Sequence, residues 1–272
     1  MKRNSELTFD SDNRVLISKN INNVSARFNS KAPTEILVEG LVAMIRAVIL
    51  DLDGTIVDFN LDYKSVRAEV IQLLTKQGFP ASIFSMNESI FSMLKKAEIY
   101  MKNNGRDERD VARVKEAVLS VANRHELEAA QTTSLMPGIP ETLETLKRMK
   151  LKTAIFTVNG EKSTNYILNR FRLKRFFDAT ITREFVSAVK PDPAHLEAAL
   201  RALNVEPEEA VVVGDSKWDM RCAQELNVVA VGVATGISSL KELMRAGATY
   251  LISSLTDIPT LIQQLNHQVK AA

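Results

Sequence analysis

Asp51 and Asp53 stand two residues apart at the end of the apolar run Ala47-Val48-Ile49-Leu50, and Gly54-Thr55 follows at once. Four hydrophobic residues in a row read as a buried parallel strand, because both faces are apolar. Ionised carboxylates at the end of such a strand cost free energy unless a cation or dense hydrogen bonding compensates them. The pattern therefore points to a metal-assisted catalytic site. The plainer alternative is that both aspartates only cap the turn, since Asp and Gly favour turns in any protein.

Further segments share the form of an apolar strand running into polar residues. Thr153-Ala154-Ile155-Phe156 ends at Thr157, with Asn159 and Gly160 just beyond. Ala210-Val211-Val212-Val213 ends in Gly214-Asp215-Ser216-Lys217-Trp218-Asp219. Lys190 stands in Val189-Lys190-Pro191-Asp192-Pro193, ahead of a helix expected over 194–203. In an open parallel sheet, ligands gather beyond the carboxyl ends of strands where the strand order reverses. One edge of one sheet can thus collect Asp51, Asp53, Thr157, Asp215 and Asp219. Ser216 and Trp218 read as capping and packing residues.

The elements that must position these residues alternate. After Pro137 the pattern predicts helix 140–149, the strand ending at Phe156, helix 161–170, strand 179–182 and helix 194–203. The strand ending before Asp215 follows, then a helix reaching 226, strand 228–233, helix 238–246, strand 250–252 and helix 258–265. This is the signature of an α/β fold with a doubly wound parallel sheet. Residues 60–135 instead carry helical periodicity over 65–74, 88–102 and 107–130, broken near Gly78, Pro80 and Asn103-Asn104-Gly105. They predict a small all-helical domain inserted after the first strand, leaving 44–59 and 136–272 as the core.

Residues 1–43 are rich in Asn and Ser, show weak periodicity, and are expected to form a poorly ordered extension. They lack a signal-peptide pattern, and Glu6, Asp10 and Asp12 argue against a transit peptide. With 35 basic against 33 acidic residues in a chain of 272, bulk charge implies neither a nucleic-acid nor a membrane partner. No apolar stretch approaches the length that spans a bilayer. The single cysteine, Cys222, cannot form an internal disulfide, which fits a reducing cytoplasm, and a buried packing role is expected for it.

In order and spacing, the four polar segments resemble the four motifs of the haloacid dehalogenase-like hydrolases. Asp51-Leu52-Asp53-Gly54-Thr55 is similar to the first, Thr157 to the second, Lys190 before Pro191 to the third, and Gly214-Asp215 with Asp219 to the fourth. The resemblance runs from about Ile45 to the C-terminus and takes in Met136-Pro137-Gly138, Val231-Gly232-Val233 and Thr235-Gly236. One departure is Val158, which stands between Thr157 and Asn159 where many relatives have Asn directly after the Ser or Thr. Members commonly begin a few residues before the first motif, which makes Met44 a candidate start.

The resemblance implies a Rossmann-like core with a helical cap, and a phosphatase of the phosphoglycolate phosphatase-like group acting on a small phosphorylated metabolite. Asp51 would be the nucleophile that forms an aspartyl-phosphate. Asp53 would protonate the leaving oxygen and then deprotonate the attacking water, help worth on the order of 10²–10⁴ in rate. Thr157 and Lys190 would hold the non-bridging phosphate oxygens. Mg2+ would be bound by the Asp51 side chain, the Asp53 backbone carbonyl and Asp215, with Asp219 in direct contact or one layer out. Lys64 and Arg67 in the cap either meet an anionic group or form an exposed basic face. A phosphomutase of the β-phosphoglucomutase type would use the same two aspartates, and a non-catalytic binding protein could keep the fold. A dehalogenase is disfavoured because Asp53 is present.

Overall fold

In the computed structural model, residues 43–58 and 60–271 are described; the expected extension, up to residue 42, lies outside them. In chain order these residues form β1 (Ala47–Leu50), α1 (Tyr63–Lys76), α2 (Ile90–Asn103), α3 (Glu108–Thr132), α4 (Ile139–Arg148), β2 (Lys152–Phe156), α5 (Glu161–Arg170) and β3 (Ala179–Ile181). Then come α6 (Ala194–Leu203), β4 (Ala210–Gly214), α7 (Lys217–Glu225), β5 (Val229–Val233), α8 (Leu240–Arg245), β6 (Tyr250–Ile252) and α9 (Ile258–Ala271). Among them, residues 43–58, 134–158 and 169–271 make one unit, and residues 60–133 with 159–168 make a second.

The first unit is built on a six-stranded, wholly parallel sheet in the order β3-β2-β1-β4-β5-β6. The α/β class and parallel sheet expected from the sequence are what is found. Every residue of β1 and β4 is buried, as runs of Val, Ile, Leu and Ala, ended in β4 by Gly214, require of strands covered on both faces. On one face Ala47, Ile49, Ala154, Phe156, Ala210 and Val212 pack with Leu196, Leu200, Met220, Ala223 and Leu243 of α6, α7 and α8. Val48, Leu50, Val211 and Val213, which alternate with them, are equally buried. Leu50 lies opposite Ile155 on one side and Val213 on the other, so β1, β2 and β4 end on the same edge. The order reverses between β1 and β4, and that is where a doubly wound sheet leaves a crevice.

Directly after β1 the chain makes one tight turn, in which the Leu52 carbonyl accepts from Ile56 N at 2.8 Å and Val57 N at 3.0 Å. Val57 then pairs antiparallel with Leu135, and Met136 N donates to the Ile56 carbonyl at 3.0 Å. The segments that leave and re-enter this unit thereby lie side by side.

The second unit is helical. Asp62, Ser89 and Asp107 cap α1, α2 and α3 by accepting backbone N–H bonds from the first turn of each. Its core joins Val66, Val70 and Leu74 to Met93, Ala97, Met101, Val114 and Val118, at the i, i+3, i+4 spacings visible in the sequence. The buried Glu126 carboxylate of α3 accepts from Gly160 N at 2.9 Å and from the Ser163 hydroxyl at 3.3 Å. This contact brings the start of α5 into the helical unit. Among the described residues no helix is long and apolar enough to cross a membrane.

The last helix departs from the expected 258–265 and runs on to Ala271. The extension carries Asn266, whose Oδ1 accepts from Ile45 N at 2.6 Å and whose Nδ2 donates to the Ile45 carbonyl at 3.1 Å. One side-chain amide thus satisfies both peptide groups of a buried residue two positions before β1. Asn266→Ala should cost about 1–3 kcal/mol, because it strands those groups. The midpoint of urea unfolding should fall accordingly, and an unchanged midpoint would remove Asn266 as the anchor of the first strand.

Candidate active site

Asp51 follows the last residue of β1, and its N–H continues the sheet by donating to the Val213 carbonyl at 2.9 Å. Asp215 follows β4, the neighbour of β1 across the reversal of strand order. Its Oδ2 accepts from Ile237 N at 2.8 Å. Two glycines make room for this carboxylate. Gly54 has φ +73, and a Cβ there would come within 2.7 Å of Asp215; a Cβ on Gly236 would fall on the carboxylate itself. The Thr235 hydroxyl donates to the Gly54 carbonyl, which ties the loop after β5 to the turn after β1.

Asp219 reaches the same place from the first turn of α7. Ser216 caps that helix, and Asp219 Oδ2 accepts in return from Ser216 N at 3.0 Å and the Ser216 hydroxyl at 2.7 Å. This reciprocal pair turns the other oxygen, Oδ1, toward Lys190. Carboxylate oxygens of Asp51, Asp215 and Asp219 all lie within 4.8 Å of one another, and all three residues are buried.

The Lys190 ammonium donates to Asp219 Oδ1 at 2.6 Å and to Asp51 Oδ1 at 2.7 Å. It also sits 4.0 Å above the centre of the Phe156 ring, a favourable place for a desolvated cation. Burial alone would lower the pKa of this amine, but the Asp219 and Asp51 carboxylates outweigh it and hold the pKa above the ordinary lysine value. The backbone of Lys190 is held as well. His195 Nδ1 accepts from Lys190 N at 3.3 Å, and its Nε2 lies 3.3 Å from the Ile181 carbonyl, to which it donates. That arrangement needs a neutral imidazole. Burial and the Lys190 charge supply it by lowering the His195 pKa to about 4.

The charge balance of the cluster identifies what it can hold. Lys190 contacts Asp51 and Asp219, whereas Asp215 has no ion-pair partner among the described residues. Burial, followed by the Asp51 and Asp219 charges, raises the Asp215 pKa to about 9. Asp51 is raised to about 6 by burial, although Lys190 pulls the other way. An all-oxygen set of convergent acids with more negative charge than one ammonium can balance suits a hard divalent cation such as Mg2+.

Asp51, Lys190, Asp215 and Asp219, singled out from the sequence, are thus brought together. Thr157 is buried directly after β2, with its N–H on the Ile181 carbonyl at 2.9 Å. Asp53 is half-buried in the turn after β1, pairs with Val57, and is outside the three-acid cluster. Lys64 and Arg67 belong to the helical unit, where Arg67 donates to the Met86 carbonyl at 3.1 Å. Cys222 is fully buried, as expected. Sequence reasoning missed Phe156 beneath Lys190, His195 behind it and Ile237 on Asp215. Only the proximity of His195 to Lys190 in the chain could have drawn notice, and a single histidine in a helix carries no signal by itself.

Residues 48–233 match a family described as haloacid dehalogenase-like hydrolase. The chain is 28% identical to phosphoglycolate phosphatase 1 of Pseudomonas aeruginosa over 219 residues, 78% of each chain. It is 24% identical to pyrophosphatase PpaX of Oceanobacillus iheyensis, over 80% of this chain and 97% of that one. The crystal structure of a hydrolase from Pseudomonas syringae superposes with a TM-score of 0.60 at 24% identity, covering 80% and 98% of the two chains.

The raised carboxyl pKa values set a pH dependence of stability. Unfolded, both acids lose their protons near pH 4; folded and without a cation, they hold them to about 6 for Asp51 and about 9 for Asp215. Their contribution is therefore complete below about pH 4 and is lost as pH rises through those values. In EDTA, the thermal midpoint of the protein should fall relative to Asp215→Asn between about pH 5 and 9. Mg2+ should restore more of it at the upper end, where it displaces fewer protons. A Mg2+ effect equal across that range, or equal in Asp215→Asn, would dissociate the cluster from cation binding.

Proposed function

The chain belongs to the haloacid dehalogenase-like hydrolases, and on that premise we propose that it is a magnesium-dependent phosphatase of small phosphorylated metabolites working through an aspartyl-phosphate. The observation that carries this reading is the contact of the Asp51 carboxylate with Lys190 inside the three-acid cluster, at the point where the strand order reverses. Relatives named phosphoglycolate phosphatase and pyrophosphatase support a small, strongly anionic substrate.

In this mechanism Asp51, fixed at the end of β1, attacks phosphorus in line with the leaving oxygen. The bond to that oxygen breaks as Asp53 gives it a proton, and the phosphoryl group passes to the Asp51 carboxylate. Asp53 then takes a proton from water as the water attacks phosphorus, which frees orthophosphate and restores Asp51. Lys190 and the Thr157 hydroxyl hold the non-bridging oxygens. The Asp51 and Asp215 side chains and the Asp53 carbonyl, with Asp219 nearby, would hold Mg2+, which when bound would supply positive charge against the anionic phosphate. Ser216 keeps Asp219 turned toward Lys190, and Phe156 and His195 keep Lys190 in place. The helical insertion acts as the cap that selects what lies beyond the phosphate.

Release of orthophosphate from phosphoglycolate, sugar phosphates, nucleotides and pyrophosphate, each with Mg2+ and with EDTA, tests the proposal. Mg2+-dependent release favouring one compound is expected. Asp51→Asn should abolish it, and Asp53→Asn should slow it by on the order of 10²–10⁴. Unchanged hydrolysis in Asp51→Asn would overturn the nucleophile assignment, and an undiminished rate in Asp53→Asn would remove its acid–base role.

A further inference from the structure

Arg183 lies in the turn after β3, its guanidinium is buried, and no step above uses it. Its Nη1 donates to the Val158 carbonyl at 2.8 Å, and its Nε lies 3.5 Å from Glu184 Oε1. Glu184 is held in turn by the Thr182 hydroxyl, which donates to its Oε2 at 2.8 Å. Taking a guanidinium out of water is costly. The bond to the Val158 carbonyl is part of what offsets that cost, and it makes this carbonyl a fixed point of the loop.

Val158 is the residue directly after Thr157. The Thr157 N–H is fastened to the Ile181 carbonyl at 2.9 Å. The Thr157-Val158 backbone is thereby gripped at both ends: by the N–H that enters it and by the carbonyl that leaves it. A threonine side chain is restricted about its first torsion, so a fixed backbone narrows where the hydroxyl can point. Val158 brings no polar side chain of its own to steady this loop, and a charge-assisted bond from Arg183 is a strong substitute.

We propose that Arg183 is a positioning residue: by clamping the Val158 carbonyl it aims the Thr157 hydroxyl at the substrate phosphate. The proposal rests on the reading of Thr157 as a phosphate ligand given above. It makes Arg183 a contributor to turnover that touches neither substrate nor cation.

A double-mutant cycle of Arg183→Met and Thr157→Val, read as kcat/KM on the best phosphorylated substrate with Mg2+, tests it. Amide exchange over residues 157–160 is measured in parallel. Arg183→Met should lower kcat/KM by on the order of 10²-fold, the scale of a small misplacement of a catalytic group. In the Thr157→Val background the same change should cost less than about twofold, because the two residues act as one. Arg183→Lys, which keeps the charge, should recover part of the loss, and exchange at Thr157 should quicken in Arg183→Met. A full penalty in both backgrounds, or unchanged exchange, would overturn the proposal. Should Arg183→Met not fold, the cycle and the exchange comparison are run with Arg183→Lys and judged alike. If the unaltered protein releases no phosphate from any compound, the phosphatase reading fails. Exchange alone then decides the clamp, and an unchanged rate refutes it.

Discussion

Three buried carboxylates within 4.8 Å of one another, only two of them bonded to the Lys190 ammonium, set the demand that the surrounding structure must meet. Each ion taken out of water costs several kcal/mol after relaxation, and a pair recovers this only with good geometry and further hydrogen bonds. The protein supplies both. Asp219 accepts two bonds from Ser216 on one oxygen and one from Lys190 on the other. Asp215 accepts from Ile237 N. What stays unbalanced is the Asp215 charge, and the response is a carboxyl that keeps its proton until about pH 9 unless a cation arrives. The cluster is thus assembled in advance at a cost in stability, which the proposed cation would remove on binding.

Such an arrangement tolerates little movement, and the fold places its members on the stiffest parts available. Asp51 and Asp215 follow the two central strands, whose residues are buried on both faces. Asp219 is locked in a helix cap, and Lys190 leads into α6 with its peptide N–H on a buried histidine. Gly54 and Gly236 leave the space that the Asp215 carboxylate fills, so the turns after β1 and β5 are shaped by it as much as they shape it. The strand order 3-2-1-4-5-6 puts β1 beside β4, and that adjacency brings residues 164 positions apart into one site.

What could be read from the sequence follows from how local its causes are. The strands ending at Leu50, Phe156 and Gly214 announce themselves through runs of β-branched and other apolar residues that stop at polar ones. Asp62, Ser89 and Asp107 are capping residue types at helix starts, and the periodicity behind them is regular. Asp51, Asp215, Asp219 and Lys190 were visible because each stands at such a punctuation point. Contacts made across the chain leave no such trace. Nothing near Asn266 tells that its amide closes on Ile45, and so the sequence pattern predicts a helix that stops one residue short of it. The aromatic ring under Lys190 reads as one more core residue of β2, since a phenylalanine packs the same way with or without a cation above it. Arg183 looks like a surface arginine until the carbonyl it reaches is known.

The proposed mechanism turns on one bond: that between phosphorus and the Asp51 carboxylate. Acid quenching during turnover of the best phosphorylated substrate with Mg2+, followed by borohydride reduction and peptide mass spectrometry, tests it most directly. An acyl phosphate is reduced to the alcohol, whereas a free carboxylate is not, so homoserine is expected at position 51 in quenched samples containing substrate and in no control lacking it. Reduction at another carboxylate, or none at any residue while phosphate is being released, would contradict Asp51 as the nucleophile.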